Sequence, residues 1–179
     1  MASLAGRMVG AARLDAGTYE EVEADQTATG QAALVVVLSS FCIALGSLKE
    51  LGASGLVVVT IFRLIGWYVW AFVTYLIGTR LLPGPKTQAD LGQLLRTLGF
   101  ASAPGVVAIL GLIPGLEGAV GLAVTLWLLV AMVIAVRQAL DYEGTGRAIG
   151  VVLIGFLVYV LVSIVIVSFL VGTGHGPTA

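Results

Sequence analysis

The sequence predicts an all-α, polytopic membrane helix bundle with five transmembrane helices, the N-terminus inside and the C-terminus outside. Three observations lead there. Of the 179 residues 59% are hydrophobic and only 11% are charged, where a soluble domain carries about a quarter. That is too little charge to cover a water-facing surface, and too much apolar residue for disorder. The few charges are also spaced so that long uncharged runs separate them, each near the roughly 20 residues that a membrane helix needs. Finally, these runs do not alternate polar and apolar residues as a barrel strand must, so helices are the way to satisfy their backbone in lipid.

The first span is expected at 32–48, short but free of charge, and the second at 55–79, interrupted only by Arg63. The third, 97–114, carries Pro104 inside it and Pro114-Gly115 at its close. It reads as a bent span, with a re-entrant dip as the alternative. The fourth is expected at 118–137 and the fifth at 148–171, leaving 173–179 as a flexible tail that holds His175. Residues 1–30 form a cytoplasmic N-terminal segment ahead of a membrane domain at 31–172. They lack the apolar core of a cleavable signal peptide, so the first span is expected to act as an uncleaved insertion signal.

The orientation follows from the cations. With five spans, Arg7, Arg13, Arg80, Lys86, Arg96, Arg137 and Arg147 share one side, and Lys49 is alone on the other. Seven against one matches the cytoplasmic excess of Lys and Arg. A re-entrant third segment reduces the contrast to five against three.

Three polar segments meet on the inner side. In the first, Leu4, Met8, Ala11 and Ala12 share a helical face with Arg7 nearby, a pattern suited to an anionic membrane surface. Thr18 and Glu21 then have capping-box spacing. Glu20, Glu21, Glu23 and Asp25 fit an acidic first turn better than a catalytic or metal-binding cluster. In the second, Pro83-Gly84-Pro85 stops a helix, and Thr87 with Asp90 caps a new one at 87–98. Leu91, Leu94, Leu95 and Leu98 give it one apolar face, for the interface or for a docking partner. In the third, 136–150, Gly144 and Gly146 make a turn, Thr145 caps the fifth span, and Asp141, Glu143 and Arg147 pair locally. The candidate inner-face interaction residues are therefore Thr18, Glu20, Glu21, Asp25, Asp90, Leu91, Leu94, Leu95, Leu98 and Arg147.

Arg63 is the one charge inside a span and so the first functional candidate there. It lies about 12 Å along the helix from Gly55. It either snorkels, pairs with Glu117 or Glu50, or recognises an anionic group. Trp67 and Trp70 read as packing residues. Ala131, Ala135 and Ala139 form a small-residue ridge for close helix contact.

Chemistry is hard to build from what remains. One Cys (Cys42) and one His (His175) leave no disulfide framework and no Cys/His zinc site. No general base stands near a nucleophile in the pattern. No catalytic residue, cofactor or metal ligand is assigned, and with no basic block there is no nucleic-acid footprint. The expected partners are the lipid bilayer, other membrane proteins or further copies of the chain.

Taken in order, TYEEVEAD at 18–25, GWYVW at 66–70, TYLIG at 74–78, GFASAPG at 99–105 and TGRA at 145–148 resemble the Yip (Rab/Ypt-interacting protein) domain family, in particular its prokaryotic branch. The resemblance runs over roughly residues 7 to 172. It implies a non-enzymatic five-span protein with a cytoplasmic N-terminus. Eukaryotic members are linked to Rab GTPases and to vesicle traffic between endoplasmic reticulum and Golgi. The N-terminal region here is shorter than their cytoplasmic arm, so that role is not carried over. Seven Arg against two Lys, with abundant Ala and Gly, points to a GC-rich bacterium. The expected role is an adaptor or membrane-organising protein of its inner membrane, with a small oligomeric permease or lipid transporter using Arg63 as the alternative.

Overall fold

The structure is a computed structural model that describes residues 3–46 and 48–173, with side chains described except at 46–54, 162, 163 and 165–173. Among the described residues it is all α-helical. Two short helices open the chain, α1 (Leu4–Ala12) and α2 (Ala16–Ala24). Ser3 caps α1 through Gly6 N, and Asp15 caps α2 through Thr18 N. Leu14, at φ 64, turns the chain between them.

The long helices are α3 (Thr29–Gly46) and α4 (Leu48–Leu76), the latter extended by a π-helical turn at Ile77–Leu81. Residues 49–54, which lie between the expected first and second spans, form the first part of α4. Hydropathy marks where charge interrupts an apolar run, and Lys49 and Glu50 interrupt it without breaking the helix, since both are good helix formers.

The third apolar stretch is built in two pieces. The helix expected at 87–98 is α5 (Leu91–Phe100), capped by Asp90 in a reciprocal box with Gln93. A 3₁₀ helix at Ala103–Leu112 follows, with Pro104 in its first turn, where a missing N–H costs nothing. Ten residues is long for this helix type. Its rise of about 2.0 Å per residue carries the short stretch further than an α-helix would. Gly99 packs on Ala32 and Gly105 on Ser39, so both pieces run along α3 in its own direction. The turn back uses Gly115 at φ 88, a left-handed conformation suited to glycine.

Two long helices close the chain, α6 (Glu117–Ala139) and α7 (Thr145–Thr173). The latter begins at Thr145 itself, so this residue is inside the helix rather than its cap. Residues 174–179, with His175, lie outside the described residues.

The core forms where α5 and the 3₁₀ helix are enclosed by α2, α3, α4 and α6. Leu94, Phe100, Val35, Ala131, Ala135 and Ala139 are fully buried there. The alanine ridge of α6 is thus core. Four segments, Gln26–Leu45, Gly55–Leu81, Leu91–Leu112 and Glu117–Ala139, are long and apolar enough to cross a membrane, and Thr145–Leu161 is a shorter apolar stretch of α7. Phe62, Ile65, Val69, Leu122, Phe156 and Leu157 point outward from them, as a lipid-facing surface requires.

Candidate functional site

The polar chemistry concentrates where α1, α2, α5 and the C-terminal end of α6 meet, called here the charged end. Arg7 is its centre. The side chain is 2% exposed and reaches three elements at once. It donates to Glu21 on α2 at 3.0 Å, to Asp25 at 2.7 Å, and to Gln31 on α3 at 3.0 Å. A buried guanidinium needs such a set, because each unpaired donor would carry its full desolvation cost. Asp25 also accepts from Thr27 N and Thr27 Oγ1. Thr27 and Arg7 together hold its carboxyl down to about 2.

The hairpin of α1 and α2 is fixed to the bundle at several further points. Tyr19, fully buried, donates to Ala11 O at 3.1 Å. Trp127 Nε1 donates to Ala12 O at 2.7 Å, and Gln138 Nε2 to Glu20 at 2.9 Å. These two anchors are eleven residues apart on α6, about 16 Å. Arg96 of α5, 5% exposed, donates through Nε to Val22 O and Glu23 O at 3.1 and 3.0 Å, capping the free carbonyls at the end of α2.

Glu23 is the electrostatic exception. Half-buried at the junction of α2, α5 and the α6–α7 turn, it accepts from Gln93 Nε2 at 3.0 Å. Burial first, then the charge of Asp141 and those of Glu20 and Asp90, outweigh Arg96 and push its carboxyl up to about 7.

A second group of bonds ties the loop 82–90 to the turn 140–144. Tyr142, 4% exposed, donates to Gly78 O at 3.2 Å and Leu82 O at 2.6 Å, carbonyls at the π-helical end of α4. Thr87 donates to Leu140 O at 2.8 Å and accepts from Gly84 N. Lys86 and Glu143 pair at 3.1 Å on the surface, both well exposed, a contact of small energetic weight. Around these bonds the charged end presents Glu20, Glu21, Asp90, Asp141, Glu143 and Arg147 to solvent.

A family model for the Yip1 domain matches residues 15–166. The chain belongs to the Yip1 domain family. The match opens at Asp15, the cap of α2, and takes in α5, the loop 82–90 and the turn 140–144, so the charged end of this Yip-domain chain lies largely within it. Comparison with curated proteins and with solved structures finds no match.

The sequence-predicted residues of the Yip-domain chain divide clearly. Glu20, Glu21, Asp25 and Asp90 come together at the charged end, while Arg147 is exposed beside it. Thr18 and Glu21 do not form a capping box: Asp15 takes the cap, and Thr18 Oγ1 donates to it at 2.7 Å. Leu94 and Leu98 are core residues, 0% and 4% exposed, with Leu91 and Leu95 half-buried beside them. The apolar face of α5 is therefore used inside the protein rather than at the interface. The face of α1 is likewise turned to protein, because Arg7 is drawn inward.

Arg63 is exposed on α4 and has no hydrogen-bond or ion-pair partner among the described residues. Glu117 accepts from Gly115 N at 2.9 Å, closing its own turn. The Glu50 side chain lies outside the described residues, but α4 is continuous across both positions. Thirteen residues of helix set them about 20 Å apart, beyond pairing distance.

Arg7, Glu23, Gln93, Arg96 and Tyr142 are the polar contacts that sequence reasoning did not select. A signal existed for Arg7: Glu21 and Asp25 are one helical turn apart and offer a single cation two carboxylates.

Proposed function

We propose that this Yip-domain protein is a non-enzymatic five-span adaptor or membrane-organising protein of a bacterial inner membrane, with the charged end in the cytoplasm. The observation that carries the reading is the charged end itself. Its elements are cross-bonded into a fixed surface, and that surface faces away from the apolar bundle. The sequence's cation count, seven against one, supports that orientation. The parallel run of α5 and the 3₁₀ helix beside α3 supports a crossing third segment over a re-entrant one. The paired and capped side chains favour recognition over reaction: the two hydroxyl–carboxylate contacts, Thr18 to Asp15 and Thr27 to Asp25, belong to the caps of helix starts.

The alternative, an oligomeric permease or lipid transporter, draws its support from Arg63. Because Arg63 faces outward from α4, a polar path along it needs a second copy of the chain to form the other wall. The experiment is isolation of the full chain from native membranes in mild detergent, followed by mass spectrometry. A stoichiometric protein partner, lost when Glu143 and Arg147 are both changed to Ala, is the expected result. A symmetric oligomer with uptake activity that Arg63→Ala removes would replace the adaptor with the transporter.

A further inference from the structure

Arg63 and the surface next to it form a second candidate site, independent of the adaptor reading. The helical segment Gly55–Leu81 has 27 residues, about 40 Å at 1.5 Å per residue. Centred on a hydrocarbon layer of about 30 Å, it extends about 5 Å beyond each side. Arg63 then lies about 7 Å below the boundary at the Gly55 end. Side chains on a helix lean toward its N-terminus, here toward that boundary, so an extended Arg reaches phosphate depth.

The same lean carries Arg63 over the turn that holds Thr60. Leu56, Thr60 and Arg63 are spaced i, i+4, i+7 and share one helix face. Leu56 and Thr60, with Val57, Ile61 and Phe41 of α3, line a depression of about 220 Å³ that is almost wholly apolar. Thr60 commits its hydroxyl to Leu56 O at 2.8 Å, leaving no polar group to satisfy there. A cation above an apolar slot on a lipid-facing helix matches one kind of molecule in charge and shape. No carboxylate of the chain answers Arg63 among the described residues, and Glu117 is engaged by its own turn.

We propose that Arg63 and the α3–α4 depression bind an anionic phospholipid from the leaflet at the Gly55 end, the phosphate on Arg63 and an acyl chain in the slot. The test is native mass spectrometry of the purified full chain with phosphatidylglycerol or phosphatidylcholine of identical acyl chains. Wild type is expected to retain phosphatidylglycerol about five-fold better, the weight of one basic residue near an anionic surface. Arg63→Gln abolishes the preference and Arg63→Lys keeps most of it. Thr60→Phe fills the slot, leaves every charge in place and lowers retention of both lipids, so the slot remains testable if Arg63→Gln does not fold. Equal retention of the two lipids by wild type, or an undiminished preference in Arg63→Gln, overturns the site. So does a lipid-free dimer that Arg63→Gln separates, because the anion would then be a carboxylate of a second copy.

Discussion

Glu23→Gln is expected to tighten the docking of the N-terminal hairpin at neutral and alkaline pH, and to remove most of its pH dependence. The docked carboxyl is raised from the ordinary 4.5 to about 7 by burial and by Asp141, Glu20 and Asp90. A group raised in this way favours the docked state fully below pH 4.5, and that contribution is lost as the pH climbs through about 7. The shift corresponds to about 3.4 kcal/mol at 1.36 kcal/mol per unit. Half-exposure to solvent screens it to about 1.5–2 kcal/mol. Gln keeps an oxygen for Gln93 Nε2 and has no charge to lose. Asp25, held at about 2, keeps one charge state throughout this window. The assay is hydrogen exchange by mass spectrometry over 16–24, corrected for intrinsic rates, at pH 5 and pH 8. Wild-type protection should fall about five- to fifteen-fold between the two, because part of the contribution is already lost at pH 5, and the variant should stay nearly flat. An equal fall in both proteins would refute the reasoning, because the titrating group would then not be Glu23.

Three more perturbations probe other parts of the charged end and core. Arg7→Met leaves the carboxylates of Glu21 and Asp25 without their buried cation, and should raise tryptic cleavage after Arg13 by about tenfold or more. Adding Glu21→Gln and Asp25→Asn should recover part of that loss. Tyr142→Phe removes the donor to Gly78 O and Leu82 O at a cost of about 1–2 kcal/mol, read as a melting temperature lower by several degrees. Gly99→Val places a Cβ 2.7 Å from Ala32 Cβ and 3.1 Å from its backbone. It should cost about 1–3 kcal/mol in the same melt, with Ala32→Gly relieving the contact in the double variant.

The spans were legible because lipid forbids stray charge, so a run between charges announces itself. The helix α4 itself begins seven residues before the expected second span, since Lys49 and Glu50 interrupt hydropathy but not helicity. The periodic leucines of α5 revealed a helix and an apolar face. They were silent on what covers that face, because a leucine stripe looks alike against lipid and against α2 and α3. For the start of α2 the spacing of Thr18 and Glu21 pointed to a cap three residues too late, since Asp15 caps the helix. The left-handed turn at Leu14 decides for Asp15, and it is a feature of the fold, not of a local motif. Arg7 was placed on a membrane-facing helix because its partners, Glu21, Asp25 and Gln31, come from later elements. Arg63 stands out in the sequence by its position in a span, yet only the continuous α4 excludes Glu50 as its partner.

In the proposed function the charged end is a fixed cytoplasmic surface for a protein partner. Photo-cross-linking in native membranes tests it most directly, with the photoreactive amino acid at Glu143 or Arg147. One discrete protein adduct is expected at these positions, lost when Arg7→Met frees the hairpin. Adducts to lipid alone, or the same protein adducts with a probe at Leu122 on the bundle's outer wall, would contradict it.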